Sequence, residues 1–75
     1  DYKFRNIIEY KGKDLNLSLE VKKGIISDCN IEGDGEWGKT ASKLPGSKHL
    51  FAVLRDIILA NHPDTENHSL FSFFN

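Results

Sequence analysis

The residues whose side chains could take part in catalysis or binding lie close together, in the stretch from Cys29 to Gly38. Cys29 is the only cysteine of the chain. Carboxylates at alternate positions and a set of glycines follow it, namely Glu32, Asp34 and Glu36, and Gly33, Gly35 and Gly38. A thiol, acids and glycines could build a nucleophilic site, a metal site or a phosphate-binding loop. Each kind of site requires further residues that the sequence either supplies or lacks.

A nucleophilic cysteine requires a base, usually a histidine, and surroundings that lower the pKa of its thiol. The three histidines, His49, His62 and His68, all lie on or after a predicted helix, and no pattern places one of them beside Cys29. Cys29 shares a predicted strand face with Ile25 and Ile31. The sequence therefore predicts that Cys29 is a small buried apolar side chain.

A metal site is not predicted either. Structural zinc sites use four ligands at paired spacings, whereas Cys29 stands alone, and His62 and His68 are predicted to flank an exposed helix end. A calcium loop needs a longer run of oxygen ligands that a glutamate closes before a helix. We interpret the three carboxylates as part of an ordinary turn that leads out of a strand, in which Asp34 caps the segment that follows.

The glycines of the run G-D-G-E-W-G have a spacing that could be confused with a dinucleotide-binding fingerprint. That fingerprint belongs to a parallel βαβ unit, whereas the preceding sequence predicts antiparallel strands. Trp37 would also crowd a pyrophosphate. Because no catalytic constellation is complete, the sequence predicts no catalytic, cofactor-binding or metal-binding residue in this chain.

The elements that position these residues are predicted to be three strands in an antiparallel meander. The strands are Phe4–Tyr10, Leu15–Lys22 and Ile25–Glu32, and each alternates between two faces. The apolar faces are expected to carry Phe4, Ile8 and Tyr10, then Leu15, Leu17, Leu19 and Val21, and then Ile25, Ser27, Cys29 and Ile31. The turns around Gly12 and Gly24 are too short for a crossover, so neighbouring strands must be antiparallel.

Helical sequence follows the strands. The polar connection from Gly33 to Gly46 is predicted to contain only a short helical turn, at 40–44. Ser47 is predicted to cap a longer helix, whose apolar positions are Leu50, Val53, Leu54, Ile57 and Ile58. Asn61-His62-Pro63 ends that helix. The predicted class is α+β, a three-stranded antiparallel meander followed by helices packed on one face, with one small domain at 1–63 and a tail at 64–75.

Length and composition restrict the functional classes. A chain of 75 residues forms one small domain at most. Its formal net charge of -1 gives no electrostatic footprint for nucleic acid or for an anionic membrane. A single cysteine cannot form an internal disulfide, and neither a membrane-spanning run nor a signal peptide is visible. Because the sequence has no methionine, we expect it to be cut from a longer protein.

The run LEVKKGIISDCNIEGD, residues 19–34, resembles the C-terminal domain of lipoate–protein ligases. That domain commonly carries a strand, a Lys/Asn-Gly turn and then G-x-I-x-x-x-x-I-x-G-D. Leu44-Pro45-Gly46 is similar to the family's leucine-x-glycine step between two helices, and Cys29 to Glu32 with Trp37 looks like the mitochondrial lipoyltransferase branch. The resemblance covers roughly 4–63. The sequence departs from the family in its shortened first helix, at 37–44, and in Gly33-Asp34-Gly35-Glu36, where the family has G-D-F-F.

The resemblance implies a non-catalytic accessory domain that packs over the active-site cleft of a large catalytic ligase domain. In that family lipoate is adenylated with ATP and Mg and is then passed to a lysine of a lipoyl-acceptor domain. The catalytic lysine and the lipoate and nucleotide sites belong to the large domain, which is part of the same chain or a separate subunit. The implied location is cytoplasmic or mitochondrial. An accessory domain of this kind acts by closing a site or by opening it to a bulky acceptor.

A second hypothesis remains open, because such domains resemble iron–sulfur scaffold and sulfur-acceptor proteins in fold. The chain would then be a stand-alone interaction or sulfur-trafficking module. Scaffolds hold a cluster with several thiolates, and Asp34 stands where their cysteine would follow the glycine. Under either hypothesis Gly24, Gly33 and Gly46 serve the backbone. Lysines 22, 23 and 39 lie in solvated turns or reach an anionic partner, and the apolar tail 70–74 docks on a partner or folds back on the core.

Overall fold

Three antiparallel strands and three helices follow one another along the chain in the computed structural model, which describes residues 1–75. The elements are β1 (Tyr2–Tyr10), β2 (Lys13–Lys22), β3 (Ile25–Glu32), α1 (Gly35–Ala41), α2 (Phe51–Asn61) and α3 (Asn67–Phe71). The predicted α+β class and the meander are confirmed, since the sheet has the order β1-β2-β3.

Both hairpin turns consist of two residues with positive φ. Lys11 and Gly12 have φ of 49° and 76°, and Lys23 and Gly24 have φ of 52° and 76°. Two central residues with positive φ are the mark of a type I′ turn, whose twist matches that of the strands it joins. The turns therefore fix the register between β1, β2 and β3 and place Phe4 opposite Leu19.

A bulge in β3 makes one predicted strand face wrong. Ile26 pairs with Val21 and Asp28 pairs with Glu20, so Ser27 is an extra residue. Ile26 is therefore buried with Cys29 and Ile31, whereas Ile25 is only half-buried and Ser27 is exposed. A strict two-residue period cannot reveal an inserted residue, which shifts the face of every position before it.

The helix boundaries differ from the prediction at two places. α1 occupies Gly35–Ala41 rather than 40–44, because Asp34 caps it as predicted and starts it early. α2 begins at Phe51, three residues after the expected start behind Ser47. The segment before α2 instead pairs with the start of β3, where Ile26 N–H donates to the Ser47 carbonyl at 2.9 Å. α2 ends at Asn61, as His62-Pro63 predicted.

The apolar tail folds back on the domain's own core, which was one of its two predicted fates. Leu70 and Phe73 are fully buried in the same apolar cluster as the sheet and α2. The Ser69 hydroxyl donates to the Glu9 carbonyl and ties α3 to β1. The Asn6 side-chain amide donates to the Ser72 carbonyl at 3.1 Å. The face of the sheet that the helices leave uncovered carries mainly polar residues together with the exposed Ile7. None of the three helices is long and apolar enough to span a membrane.

Candidate functional site

Cys29 lies in β3 opposite Leu19 and belongs to the apolar core, as predicted. Burial, with a smaller contribution from the charge of Asp28, raises the pKa of its thiol to about 12. The nucleophilic and metal-binding form of cysteine is the thiolate, which is scarcely populated at neutral pH with this pKa. Cys29 therefore packs the core and is not activated for chemistry.

The carboxylates that follow β3 are used to start α1. The Asp34 carboxylate accepts the backbone N–H groups of Glu36 and Trp37 at 2.9 and 3.2 Å. The bond from the Trp37 N–H is the main reason that the pKa of Asp34 lies below its usual value, and the Lys13 ammonium at 3.3 Å adds to it. Glu36 pairs with Lys39 on the helix surface. No group of three or more His, Cys, Asp or Glu side chains is arranged to hold a metal ion.

The three glycines that match the pattern of the lipoate–protein ligase domain serve the backbone conformation. Gly33 has φ of 116°, and a Cβ atom there would lie 3.1 Å from Leu15 Cδ2, so a larger residue would be strained and would crowd the core. Gly24 and Gly46 also have positive φ. Lysines 22, 23 and 39, which were predicted to lie in solvated turns or to reach an anionic partner, are exposed. The Lys22 Nζ atom lies 4.0 Å from a carboxylate oxygen of Glu20, and the Lys39 Nζ atom lies 3.5 Å from one of Glu36.

A hollow of about 440 Å³ lies on the uncovered face of the sheet. Polar side chains of mixed charge line it, namely Lys3, Arg5, Ser18, Glu20 and Asp28. Glu20 is already engaged, since Lys3 is 3.6 Å away and the Ser27 hydroxyl donates to it at 3.0 Å. The hollow contains neither a histidine nor a cysteine, so it offers no nucleophile–base pair.

The main group of buried polar and aromatic side chains is one that the sequence did not single out. We call Tyr10, Trp37, Thr40 and His62 the inner cluster. The His62 ring stacks on the Trp37 indole with centroids 3.9 Å apart and an interplanar angle of 3°. Tyr10 meets both rings edge-on, at 5.1 Å from Trp37 and 5.8 Å from His62. The prediction that His62 flanks an exposed helix end is therefore wrong, because the α2 C-terminus turns inward against α1.

Hydrogen bonds join the polar groups of the inner cluster. The Thr40 hydroxyl oxygen lies 3.2 Å from the Glu36 carbonyl oxygen and 2.7 Å from Nε2 of His62, within hydrogen-bonding distance of both. Burial is the main reason that the pKa of His62 lies below its usual value. The indole N–H of Trp37 is buried without an acceptor. Trp37, Thr40 and His62 are buried and Tyr10 is half-buried. No hollow adjoins the cluster, and we interpret it as a group that stabilises the fold.

A second group, of aromatic residues and one histidine, lies at the other end of β1 and is partly exposed. We call Tyr2, His49, Phe51, Phe71 and Phe74 the surface cluster. His49 stacks on Phe74 with centroids 4.4 Å apart and an interplanar angle of 7°. His49 Nε2–H donates to the Phe73 carbonyl at 2.7 Å, and His49 Nδ1 is hydrogen-bonded to the Tyr2 hydroxyl.

No protein-family model matches the chain, and no curated protein or solved structure matches it. The resemblance to lipoate–protein ligases therefore stays a prediction from the sequence.

One member of the surface cluster follows the strand period, because Tyr2 lies two positions before Phe4 on the inner face of β1. The approach of His49 to Tyr2 was not visible, since 47 positions separate them. It depends on the pairing of the Ser47–His49 segment with β3.

Proposed function

We propose that this chain is a non-catalytic accessory domain of a lipoate–protein ligase, which assists ATP-dependent adenylation of lipoate and its transfer to an acceptor lysine. The observation that carries the proposal is the run LEVKKGIISDCNIEGD at residues 19–34. It folds as strand, type I′ Lys-Gly turn and strand, and its final Gly-Asp leads into a helix. This is the order of elements that the resemblance implies.

The structural contacts of Cys29, Asp34 and His62 also support a non-catalytic role. The Cys29 thiol is buried with a pKa of about 12, and the Asp34 carboxylate is occupied by the first turn of α1. His62 is locked against Trp37 and Thr40. Each of these groups stabilises the fold, so the adenylation chemistry is assigned to the large catalytic domain.

An accessory domain of this kind needs a rigid body and a contact surface. The body is supplied by a sheet whose register two tight turns fix, and by a core that also takes in the C-terminal tail. A rigid domain that closes over a cleft excludes water from a reactive acyl-adenylate, and its opening admits the acceptor domain. Lipoate, ATP and Mg would bind to the catalytic domain and not to this chain.

The direct test combines this chain with a lipoate–protein ligase catalytic domain that lacks its own small domain, together with lipoate and Mg-ATP. We expect lipoyl-adenylate to form faster than with the catalytic domain alone. The same amount of a Trp37→Ala variant, whose core is broken, serves as the control for a nonspecific protein effect. An unchanged rate with the folded chain would contradict the proposal.

A further inference from the structure

We infer that the outer edge of β1 at Lys3 and Arg5 binds an extended acidic peptide segment as an added antiparallel strand. The edge of a sheet presents unpaired backbone N–H and C=O groups, and the backbone of an extended peptide satisfies them. The inference goes beyond the proposed function and does not rest on it, because its test uses only this chain and a synthetic peptide.

The tight turn after β1 determines which residues of the strand face the outer edge. Tyr10 and Lys13 flank the two-residue type I′ turn and pair with each other, and residues in this position exchange both of their backbone hydrogen bonds. Alternation along an antiparallel pair then directs the backbone groups of the even-numbered residues of β1 toward β2. The odd-numbered residues direct theirs toward the outer edge, namely Lys3, Arg5, Ile7 and Glu9.

One half of this edge is occupied and the other half is free. The Ser69 hydroxyl donates to the Glu9 carbonyl, and the Ile7 N–H donates to the side-chain amide oxygen of its preceding neighbour at 2.8 Å. No backbone group outside the sheet bonds to Lys3 or Arg5. These two residues therefore leave N–H donors and C=O acceptors unpaired at the spacing of a strand.

The opposite edge of the sheet shows the same backbone groups already paired. Ile26 of β3 donates its N–H to the Ser47 carbonyl at 2.9 Å, and its own carbonyl accepts the Gly46 N–H at 2.8 Å. Ile25 forms an antiparallel bridge with Lys48. An extended segment of the chain thus covers the start of the β3 edge in the arrangement that we propose for the occupant of the β1 edge. The free half of the β1 edge has no such segment.

Charge argues against a second copy of this chain as the occupant. Lys3 and Arg5 both line the hollow on the uncovered face of the sheet. An antiparallel register that uses both residues in each copy places a cation directly opposite a cation, which destabilises the pairing. A register that avoids this needs the edge groups of Ile7 and Glu9, which are already bonded within the chain.

The same side chains determine the chemistry of the occupant. Lys3 lies 3.6 Å from Glu20, whereas Arg5 is free, since Arg55 is the only arginine that forms an ion pair. Acidic side chains opposite the two cations would face the uncovered side of the sheet and form favourable cross-strand pairs. The residue between them would lie beside Phe4, which is half-buried on the inner face. The occupant therefore has the pattern acidic–apolar–acidic.

The test follows the backbone amide signals of this chain by NMR during titration with the capped peptide TEVET. We expect the amide signals of Lys3 and Arg5 to shift and to reach saturation. Two control peptides should lose the saturating shift. One is TEVET with both glutamate nitrogens methylated, which removes its backbone donors toward the edge, and the other is TKVKT, which has the opposite charge.

Variants of the chain test the contribution of Arg5. Arg5→Glu should weaken the binding of TEVET by about fivefold, because an opposite-charge pair becomes a like-charge pair. Arg55→Glu is the matched control, since it makes the same charge change on α2 and should leave the binding unchanged. Circular dichroism establishes that both variants are folded, and Arg5→Gln replaces Arg5→Glu if that variant unfolds.

The outcomes distinguish an added strand from other contacts. Absence of shifts with TEVET, or equal shifts with either control peptide, would overturn the inference. Shifts of the same amide signals that depend on the concentration of the chain alone would assign the edge to a second copy and would also overturn it. None of these results bears on the proposed function, which depends on lipoyl-adenylate formation.

Discussion

The two ends of β1 carry histidine–aromatic stacks of nearly the same geometry in opposite environments. At one end His62 stacks on Trp37 at 3.9 Å, and at the other His49 stacks on Phe74 at 4.4 Å. Tyr10 and Tyr2 flank the two stacks and lie about 26 Å apart at roughly 3.3 Å per strand residue. The first stack is buried, whereas the second is flanked by side chains that are about half exposed.

The difference follows from what covers each end. The inner cluster is enclosed by α1, which Asp34 starts, and by the chain that leaves α2 at His62. The surface cluster lies among the first residues of β1 and α2, the segment before α2 and the tail, and several of its side chains stay partly exposed. The same residue types are therefore enclosed at one end and partly exposed at the other. Residue type alone does not determine whether a histidine–aromatic stack is buried. The strands, helices and loops packed around the stack determine it.

The largest expected effect is the loss of stability when the Trp37 ring is removed from the inner cluster. Trp37→Ala should lower the free energy of unfolding by about 3–5 kcal/mol, the usual cost of removing a fully buried large aromatic side chain. A domain of this size has little stability to spare, so we expect the variant to be largely unfolded. Urea denaturation followed by circular dichroism measures the change.

Phe71→Ala provides the matched comparison, because about half of Phe71 is already in water. Its effect should be clearly smaller than that of Trp37→Ala. If the two variants lost equal stability, the surface cluster would be as much a part of the core as the inner cluster, and the contrast between the two would be contradicted.

The next effect concerns the hydroxyl partners of the two histidines. Thr40→Val keeps the shape of the side chain but removes the hydroxyl that is hydrogen-bonded to Nε2 of His62, and leaves that buried nitrogen without a partner. We expect a loss of about 1–3 kcal/mol, the cost of one unsatisfied buried polar group. Tyr2→Phe removes the corresponding partner of His49 at a site that water can reach, so the loss should stay within about 0.5 kcal/mol. Thermal or urea unfolding of both variants gives the comparison.

The dependence of stability on pH should report the protonation of His62 in the inner cluster. The folded pKa of His62 lies below 6.5, its ordinary value, because burial outweighs the nearby Asp34 and Glu36, and Lys43 and Lys11 act in the same direction as burial. Below about pH 6.5 the unfolded chain therefore binds a proton that the folded chain does not. The free energy of unfolding should fall as the pH is lowered from 6.5 and level off below the folded pKa.

The control for this titration is the surface histidine His68, which is more than half exposed beside Glu9. His62→Gln should remove the loss of stability between pH 6.5 and 5, whereas His68→Gln should retain it. A titration that is unchanged by His62→Gln would show that another group is responsible.

The smallest expected effect concerns Cys29. Because its thiol is buried with a pKa of about 12, iodoacetamide should modify the folded chain far more slowly at pH 7.5 than the chain in urea. Cys29→Ala should raise lipoyl-adenylate formation as well as the unmodified chain does. Rapid modification of the folded protein, or iron or persulfide bound at Cys29 after purification, would favour the sulfur-trafficking alternative.

The sequence was sufficient for the three strands, their order and the end of α2. The four alternations from Leu15 to Lys22, the Lys-Gly turns and the Asn61-His62-Pro63 stop are local signals, and each is confirmed. The burial of Cys29 and the capping role of Asp34 also follow from local pattern.

The errors arise where a distant segment intervenes. Ser47 does not cap α2, because its segment pairs with the start of β3. The Ser27 bulge in that same region moves Ile26 inward in place of Ile25. His62 is buried because α1 extends back to Gly35 and brings Trp37 against it. The two clusters are assembled by such long-range contacts, so local sequence patterns do not distinguish the buried cluster from the partly exposed one.

The most direct test of the account measures lipoyl-adenylate formation by a ligase catalytic domain with saturating amounts of different forms of this chain. The account holds that the folded domain assists the reaction and contributes no reactive group. It predicts that the unmodified chain and Cys29→Ala raise the rate equally, and that Trp37→Ala, whose core is broken, does not raise it. An unchanged rate with the unmodified chain, or the loss of stimulation in Cys29→Ala, would contradict the account.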